Sequence, residues 1–446
     1  MNRLHHLRHH LRRHRYRSLL SVITMVVLTL LIAPLHGSAD SSSRLDDPDP
    51  ASIPLPVLDD DDPAKAVVAR VTFSSRTQAT VDRTSVSLQR AHTHIGDPPI
   101  LKLSLTDVDG QVIDRMNAWS PLWVYSHGDR ERMDVKSGGS GSFIVPFSPA
   151  LSTMTITDTA LNRDVVTVDV KPAIREFCVS HPADPDCLES DLSVDSVEPR
   201  APLFAVLGKP VTVTVASTVS NAGPDGPTDA RVERTVTAGT GVTATPAAPE
   251  TTEVGLAVGT PQRLEKTYTV TCTQPGARTL DFTTAVAPER ASVIDPQEAN
   301  NRRTTRLTVD CAIPVTINIQ PGSTRNPVNL NGGVLPVAAL TTRAGEYGNP
   351  LAFDATTIDA ASLHFGSPSV LLLGGGVPEA HGRIHPENSL ELDEVTRDRD
   401  LDAVLHFQPR SQALTPADTS ACVLGRFAGP SGPLSFYGCD RVTVVP

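Results

Sequence analysis

The sequence contains few aromatic residues and few stretches of helical periodicity. Aromatic side chains make up 4% of the 446 residues, and two of them are tryptophan. Proline and glycine are frequent instead, at 38 and 29 residues, which is unfavourable for a mainly helical protein. Between residues 64 and 171, apolar and polar residues alternate in several short runs, as in half-buried strands. The sequence therefore predicts an all-β protein.

An excess of basic charge is also missing. Lys and Arg number 39 against 50 Asp and Glu, for a formal net charge of −11. Residues 1–39 hold six of the arginines and no acid, so the remaining 33 basic and 50 acidic residues give −17. Nucleic acids and anionic membranes both attract proteins through basic surface. The charge thus argues against a nucleic-acid partner and against a membrane-surface partner.

Familiar catalytic motifs are absent as well. Ser137–Ser142 is a Gly/Ser loop that does not satisfy the G-x-S-x-G pattern of a nucleophile elbow. The sequence has no P-loop lysine and no G-x-G-x-x-G motif in a strand–helix–strand unit. The paired catalytic carboxylates of a glycoside hydrolase cannot be recognised by a short sequence motif of this type. We therefore expect a protein without catalytic residues, and a hydrolase with an unrecognised site is an alternative.

The N-terminus has the pattern of a secretory signal. A basic start is followed by an apolar run from Leu19 to Ala33 and by the small residues Gly37, Ser38 and Ala39. This predicts a signal peptide over residues 1–39 and a secreted protein, with an uncleaved anchor as the alternative. Residues 40–63 contain eight Asp and five Pro and predict a disordered acidic linker.

The chain has six cysteines, an even number that suggests disulfides in an exported protein. The spacings lack the short Cys-x2–4-Cys pairs of zinc sites. Pairing of neighbouring cysteines within each segment predicts three bonds, Cys178–Cys187, Cys272–Cys311 and Cys422–Cys439. The first of these bonds would close a connector at 172–190.

The alternating runs fall into three segments, each expected to form an antiparallel β-sandwich-like, immunoglobulin-like domain. In the first, Leu101, Leu103 and Leu105 alternate with polar residues, and Asp109-Gly110 then predicts a hairpin turn. Val211, Val213 and Val215 alternate in the same way in the second. The predicted domains are 64–171, 191–311 and 312–446.

Two segments resemble known domains. One resemblance is to the CARDB-type immunoglobulin-like domain of bacterial cell-surface proteins, and it implies an Ig-like fold with adhesion or spacing roles. The residues that carry it are Asp191–Val197, Asn221–Gly223, Pro275-Gly276 and Glu298–Asn301. The other is the pattern I-x-I-x-P-G-S-x-x-N-P-x-N over Ile317–Asn329, which is similar to a β domain of unassigned role in secreted bacterial proteins.

The second resemblance implies a calcium loop, because similar domains have a D-x-N-x-D-G-x-x-D pattern in this place. That pattern maps onto Glu394, Thr396, Asp398 and Asp402, with Asp400 as an extra carboxylate. Calcium takes six to eight oxygen ligands. However, Arg397 and Arg399 replace the glycines that permit the turn, and guanidinium groups compete with a cation for carboxylates. A calcium site and a metal-free Asp–Arg loop both stay open.

A pair of histidines, His381 and His385, has the i, i+4 spacing of a zinc-binding helix. The pair lacks the glutamate of an H-E-x-x-H motif, and Gly382 and Pro386 oppose a helix. We therefore expect a loop there and no ligand pair.

An aromatic binding platform is predicted from Trp119, Trp123 and Tyr125, because Trp123 and Tyr125 share one face of a strand. Burial of these rings in the sandwich core is the alternative, since large aromatic residues dominate cores.

Together these features predict a non-catalytic secreted or cell-surface protein that acts in binding, adhesion or spacing. Its partner would be a protein or polysaccharide of the cell envelope or extracellular space. A polysaccharide-binding accessory protein is the second hypothesis. No organic cofactor is expected, and Ca²⁺ is the candidate ion.

Overall fold

The structure is a computed structural model that describes residues 65–91, 101–126 and 132–445. The predicted signal peptide and acidic linker lie outside the described residues. Among the described residues, no helix combines the length and the apolar content needed to span a bilayer.

The first segment forms two facing sheets, ordered β2-β1-β7 and β4-β3-β8-β9, with a separate β5-β6 hairpin. Alternate residues of β1 and β3, such as Val71 and Leu103, are buried in one core. Strands β3 and β4 pair antiparallel around Asp109-Gly110, which confirms the predicted hairpin. The described strands are β1 (Ala66–Ser75), β2 (Gln78–Ser87), β3 (Leu101–Thr106), β4 (Val112–Ala118), β5 (Trp123–Ser126), β6 (Arg132–Val135), β7 (Gly139–Pro146), β8 (Thr153–Asp158) and β9 (Arg163–Asp169).

The connector after the first segment begins with a helix, α1 (Lys171–Ser180), where the sequence predicted only a loop. Pro172 lies in its first turn, a position that proline favours. Ala173, Ile174 and Phe177 are buried on one side, which is the spacing of a short amphipathic helix. With ten residues, the pattern is too short to stand out in the sequence. The first disulfide ties Cys178 in α1 to Cys187, near the end of the connector.

The second segment is a sandwich of a five-stranded sheet, β14-β16-β12-β10-β18, and the outer part of a larger sheet, β15-β13-β17-β19. The Cys272–Cys311 disulfide joins β16 of one sheet to β19 of the other. Its strands are β10 (Leu188–Arg200), β11 (Phe204–Val206), β12 (Pro210–Pro224), β13 (Thr228–Ala238), β14 (Val242–Thr245), β15 (Glu250–Leu256), β16 (Gln262–Cys272), β17 (Gly276–Pro288), β18 (Val293–Ile294) and β19 (Arg302–Pro314).

The third segment packs a four-stranded sheet, β20-β22-β26-β25, against β28-β27-β23-β24. The disulfide Cys422–Cys439 links directly opposed residues of β27 and β28. The elements are β20 (Ile317–Ile319), β21 (Pro327–Asn329), β22 (Leu335–Ala339), β23 (Ile358–Gly366), α2 (Pro368–Leu372), β24 (Val377–Pro378), β25 (His385–Glu387), β26 (Asp402–Phe407), β27 (Ser420–Gly429), β28 (Gly432–Arg441) and β29 (Thr443–Val445).

Strand β19 belongs to both of these segments. Its residues 302–311 pair with β17, and Ile313 and Pro314 then pair with β28, so one sheet continues from the second segment into the third. A small apolar cluster that includes Phe204, Ala312 and Leu371 fills the junction. The described chain is thus all-β, built of sandwiched sheets, while the three exact domain boundaries stay a prediction.

Candidate metal centre

Strand β26 carries candidate ligands at both of its ends. Ala403, Leu405 and Phe407 point into the apolar core of the third segment. Because side chains alternate along a strand, Asp402 and His406 lie on its opposite face. These two residues are four positions apart, or about 13 Å at the usual ~3.3 Å rise per residue. The strand therefore separates an acidic end from a histidine end.

The histidine end brings together His381, His385 and His406, which we call the histidine cluster. His385 opens β25 and is paired with Val404, which places it diagonally across from His406 on the same face. His381 lies in the loop between β24 and β25. One ligand nitrogen from each ring lies within 4.8 Å of the others. Within the described ranges, this is the one group of three or more His, Cys, Asp or Glu that converges in this way.

The rings of the cluster are close and have few other partners. His381 Nδ1 and His385 Nε2 are 3.2 Å apart, and the ring centroids of His381 and His406 are separated by 4.6 Å. Nδ1 of His406 is buried without a hydrogen-bond partner. Burial, followed by repulsion from the other two rings, lowers the pKa of His406. The ring therefore favours its neutral form, which is the form that binds metals.

A buried glutamate holds the backbone around the cluster. Glu379 Oε2 accepts hydrogen bonds from the backbone N–H groups of His381 (2.7 Å) and Arg383 (3.2 Å). Its Oε1 accepts a hydrogen bond from the N–H of His406 (3.1 Å). One carboxylate thus fixes the main chain at two of the three histidines.

The sequence pattern does not predict this cluster, because His381 and His385 fit a zinc site only when they lie on a helix. The structure places His385 on a strand and supplies the third ring from residue 406. The available sequence signal was the strand alternation Val404-Leu405-His406, which leaves a polar ring on the face opposite the core.

At the acidic end, the first two predicted calcium ligands are bonded to other groups. Glu394 Oε2 accepts hydrogen bonds from Gly322 N–H (2.6 Å) and Asn318 Nδ2 (3.2 Å). The hydroxyl of Thr396 donates to Asp393 Oδ2 at 2.7 Å. These contacts stabilise the loop, and calcium ligation by either residue stays a prediction.

Asp398 and Asp400 follow in the same loop, and Asp398 Oδ1 accepts a hydrogen bond from the N–H of Asp400 (3.0 Å). Burial, with the hydrogen bond and the charge of Asp398 and the charges of Asp402 and Glu391, raises the pKa of Asp400 to about 7. Oδ1 of Asp400 is buried without a hydrogen-bond partner. A group of mutually repelling carboxylates is a surrounding that a cation would relieve.

Asp402 is fully buried and has a structural set of contacts. Its Oδ1 accepts a hydrogen bond from Thr341 N–H (2.9 Å), and Oδ2 accepts one from Ser389 N–H (2.9 Å). Burial raises its pKa. The carboxylate thus joins two loops to the start of β26.

The two arginines of the loop take up different positions. Arg397 donates to the backbone oxygen of Asn388. Arg399 has a φ of 81°, a left-handed conformation that glycine adopts more easily. The loop therefore makes a glycine-type turn although it has arginine at that position.

The predicted aromatic platform is partly covered. Trp123 is half-buried against the first core, and the guanidinium of Arg76 stands 5.7 Å from its ring centroid. Trp119 is half-buried and lines a cavity of about 180 Å³ with Asn117 and Ser142. Tyr125 is paired with Met133 in the β5–β6 hairpin. Ligand binding by these three residues stays a prediction.

Comparisons with known proteins give distant likenesses. No family model and no curated protein matches the sequence. Two structures of the CARDB domain of the PF1109 protein from Pyrococcus furiosus match 27% and 28% of this chain and 94% and 97% of theirs. The identities are 21% and 20%, and the TM-scores are 0.19 and 0.18. The first of these is described as a complex with di-metal ions.

A third structure, the BSP domain of a biofilm-associated protein, matches 86% of this chain and 76% of its own at 6% identity, with a TM-score of 0.18. At these identities and scores the likenesses carry no functional argument.

Proposed function

We propose that this chain is a non-catalytic protein of the extracellular space or cell surface, which acts in binding, adhesion or spacing. The observation that carries the proposal is the continuity of β19. A strand shared by two sandwiches leaves no flexible linker between them. Such a junction suits a protein that holds a binding surface at a fixed distance.

Polar contacts where the first segment meets the connector and the second segment support the same proposal. Lys65, before β1, forms ion pairs with Asp184 (2.5 Å) and Asp186 in the connector. Ser292 Oγ donates to the backbone oxygen of Pro149 at 3.0 Å. The three disulfides add covalent links within the segments and suit an oxidising compartment.

Stiffness can be tested by small-angle X-ray scattering. A four-residue Gly/Ser insertion after Pro314 would separate β19 from the third segment, and we expect it to broaden the distance distribution of the protein. The same insertion at the Asp109-Gly110 turn is the matched control and should leave the distribution unchanged. A wild-type distribution as broad as that of the junction variant would contradict a spacer role.

Binding can be tested by retention of the exported chain on its own cell envelope and on insoluble polysaccharides, with calcium and with EDTA. Retention supports adhesion, and loss in EDTA assigns it to a metal site. If the scattering shows a stiff protein and none of these materials retains it, the results support a spacer role without adhesion.

Polysaccharide binding is the second candidate, supported by the cavity beside Trp119. Retention on polysaccharide that is lost on substitution Trp119→Ala, but kept in Trp123→Ala, would favour it. Loss in neither variant would contradict it.

A further inference from the structure

We propose that the histidine cluster binds one divalent transition-metal ion, with zinc the best fit, through His381, His385 and His406. This site is separate from the acidic calcium loop. It does not depend on the role proposed for the whole chain.

The spacing of the nitrogens fits such an ion. Zinc–nitrogen bonds of ~2.0–2.1 Å place two ligand nitrogens of a tetrahedral ion about 3.3 Å apart. His381 Nδ1 and His385 Nε2 are already 3.2 Å apart. All three ligand atoms lie within 4.8 Å of one another, so each of the two edges to His406 has to shorten by at most about 1.5 Å to reach the same tetrahedral geometry. Small ring rotations provide a shift of that size.

The backbone that carries the ligands is fixed in advance. His385 and His406 lie on paired strands, and Ala380 N–H donates to the carbonyl oxygen of His406 at 2.7 Å. Glu379 holds the main chain of His381 and His406 from a buried position. The fixed backbone leaves ring rotations, chiefly of His406, as the adjustment that binding needs, so the loss of backbone freedom on binding is small.

The chemistry of the ligand atoms and the exposure of the three histidines indicate which ion would bind and where. Three imidazole nitrogens suit zinc, copper or nickel, whereas calcium and magnesium prefer oxygen. His381 is exposed, while His385 and His406 are half-buried, so the ion would lie at the surface. Three protein ligands leave a fourth position for water or for a donor group of an outside molecule.

The test is a titration of the full chain with Co²⁺ and Zn²⁺, without an affinity tag. The N-terminal histidines 5, 6, 9, 10 and 14 are replaced by glutamine in every sample, since they would also bind metal. We expect one equivalent of Co²⁺ to give the visible absorption of a tetrahedral complex and Zn²⁺ to displace it.

Substitutions His385→Asn and His406→Asn should each lower zinc affinity about 100-fold or more, because loss of even an outer-sphere partner costs about 10- to 100-fold. The matched control is His364→Asn. His364 is also a half-buried strand histidine with a buried, unpartnered Nδ1, and its loss should leave the affinity unchanged.

If the half-buried variants fold poorly, His381→Asn at the exposed position gives the same test. Zinc should raise the melting temperature of the parent chain but not of this variant. Absence of stoichiometric binding, or equal affinity in the His381, His385 and His364 variants, would overturn the proposal.

Discussion

The two ends of β26 show two different ways to assemble a candidate site. At its acidic end, the predicted calcium ligands are neighbours in the sequence, but Glu394 and Thr396 are hydrogen-bonded to other groups. At its histidine end, the residues are up to 25 positions apart, yet their ring nitrogens lie within 4.8 Å of one another. Closeness in sequence is therefore a poor guide to convergence in a β protein, where strand register decides which side chains meet.

The residues at the two ends of β26 also differ in their burial, and therefore in the role expected of them. Asp402 is fully buried and bonded to two backbone N–H groups, whereas His381 is exposed. Removal of Asp402 should therefore affect stability most, and removal of a histidine should affect metal affinity most.

The prediction with the largest expected effect concerns the independence of the two ends of β26. The double variant His381→Asn/His385→Asn should lower zinc affinity by about 100-fold or more, while Asp398→Asn/Asp400→Asn should change it less than about twofold, because its carboxylates are not among the converging nitrogen ligands. Calorimetric titration with zinc measures both. A similar loss in the two variants would mean that the ends form one site.

The next effect concerns stability at the acidic end. Asp402→Ala should lower the free energy of unfolding by about 2–4 kcal/mol, because two backbone donors lose their buried acceptor. Urea denaturation provides the measurement, with Asp398→Ala as an exposed control. If the two substitutions cost the same, Asp402 does not have the structural role assigned to it.

A smaller effect is expected at the support of the histidine end. Glu379→Gln removes one of the two carboxylate oxygens that accept backbone hydrogen bonds, and it should lower zinc affinity about tenfold, at the lower limit for outer-sphere partners. The exposed substitution Glu176→Gln in α1 is the control. An unchanged affinity in Glu379→Gln would show that the cluster does not need this support.

The last effect is a pH dependence at Asp400. Its pKa is about 7 in the folded chain, above the unfolded value of about 3.9. Between these values the folded state binds more protons, so this residue's contribution is present at low pH and is lost as pH rises through about 7. Asp400→Asn should remove this component from urea unfolding measured across that range.

Calcium gives a second measurement on the same residue. An ion bound by the acidic loop would stabilise the ionised carboxylates and lower the pKa of Asp400. Added Ca²⁺ should then flatten the pH dependence of the wild type and leave Asp400→Asn unchanged. A wild-type profile that calcium does not alter would favour a metal-free loop.

The sequence predicts much of the local structure. The alternation of Leu101, Leu103 and Leu105 and the Asp109-Gly110 turn lead directly to the β3–β4 hairpin, since both depend on neighbouring residues. Helix α1 was missed, because its apolar face spans only about two turns and proline and cysteine obscure the pattern. The candidate site was predicted at one end of β26 and missed at the other, where pairing with β25 brings distant residues together.

The all-β class follows from the sequence alone, because strand alternation is a local property of the chain. The sequence also indicated the three disulfide pairs by their closeness along the chain, and the structure contains these pairs. Two features emerge from the folded chain instead: β19 continues from one sandwich into the next, and three histidines meet beside Glu379. Both features depend on the register between strands that are remote in sequence, and such a register is set by the packing of whole sheets.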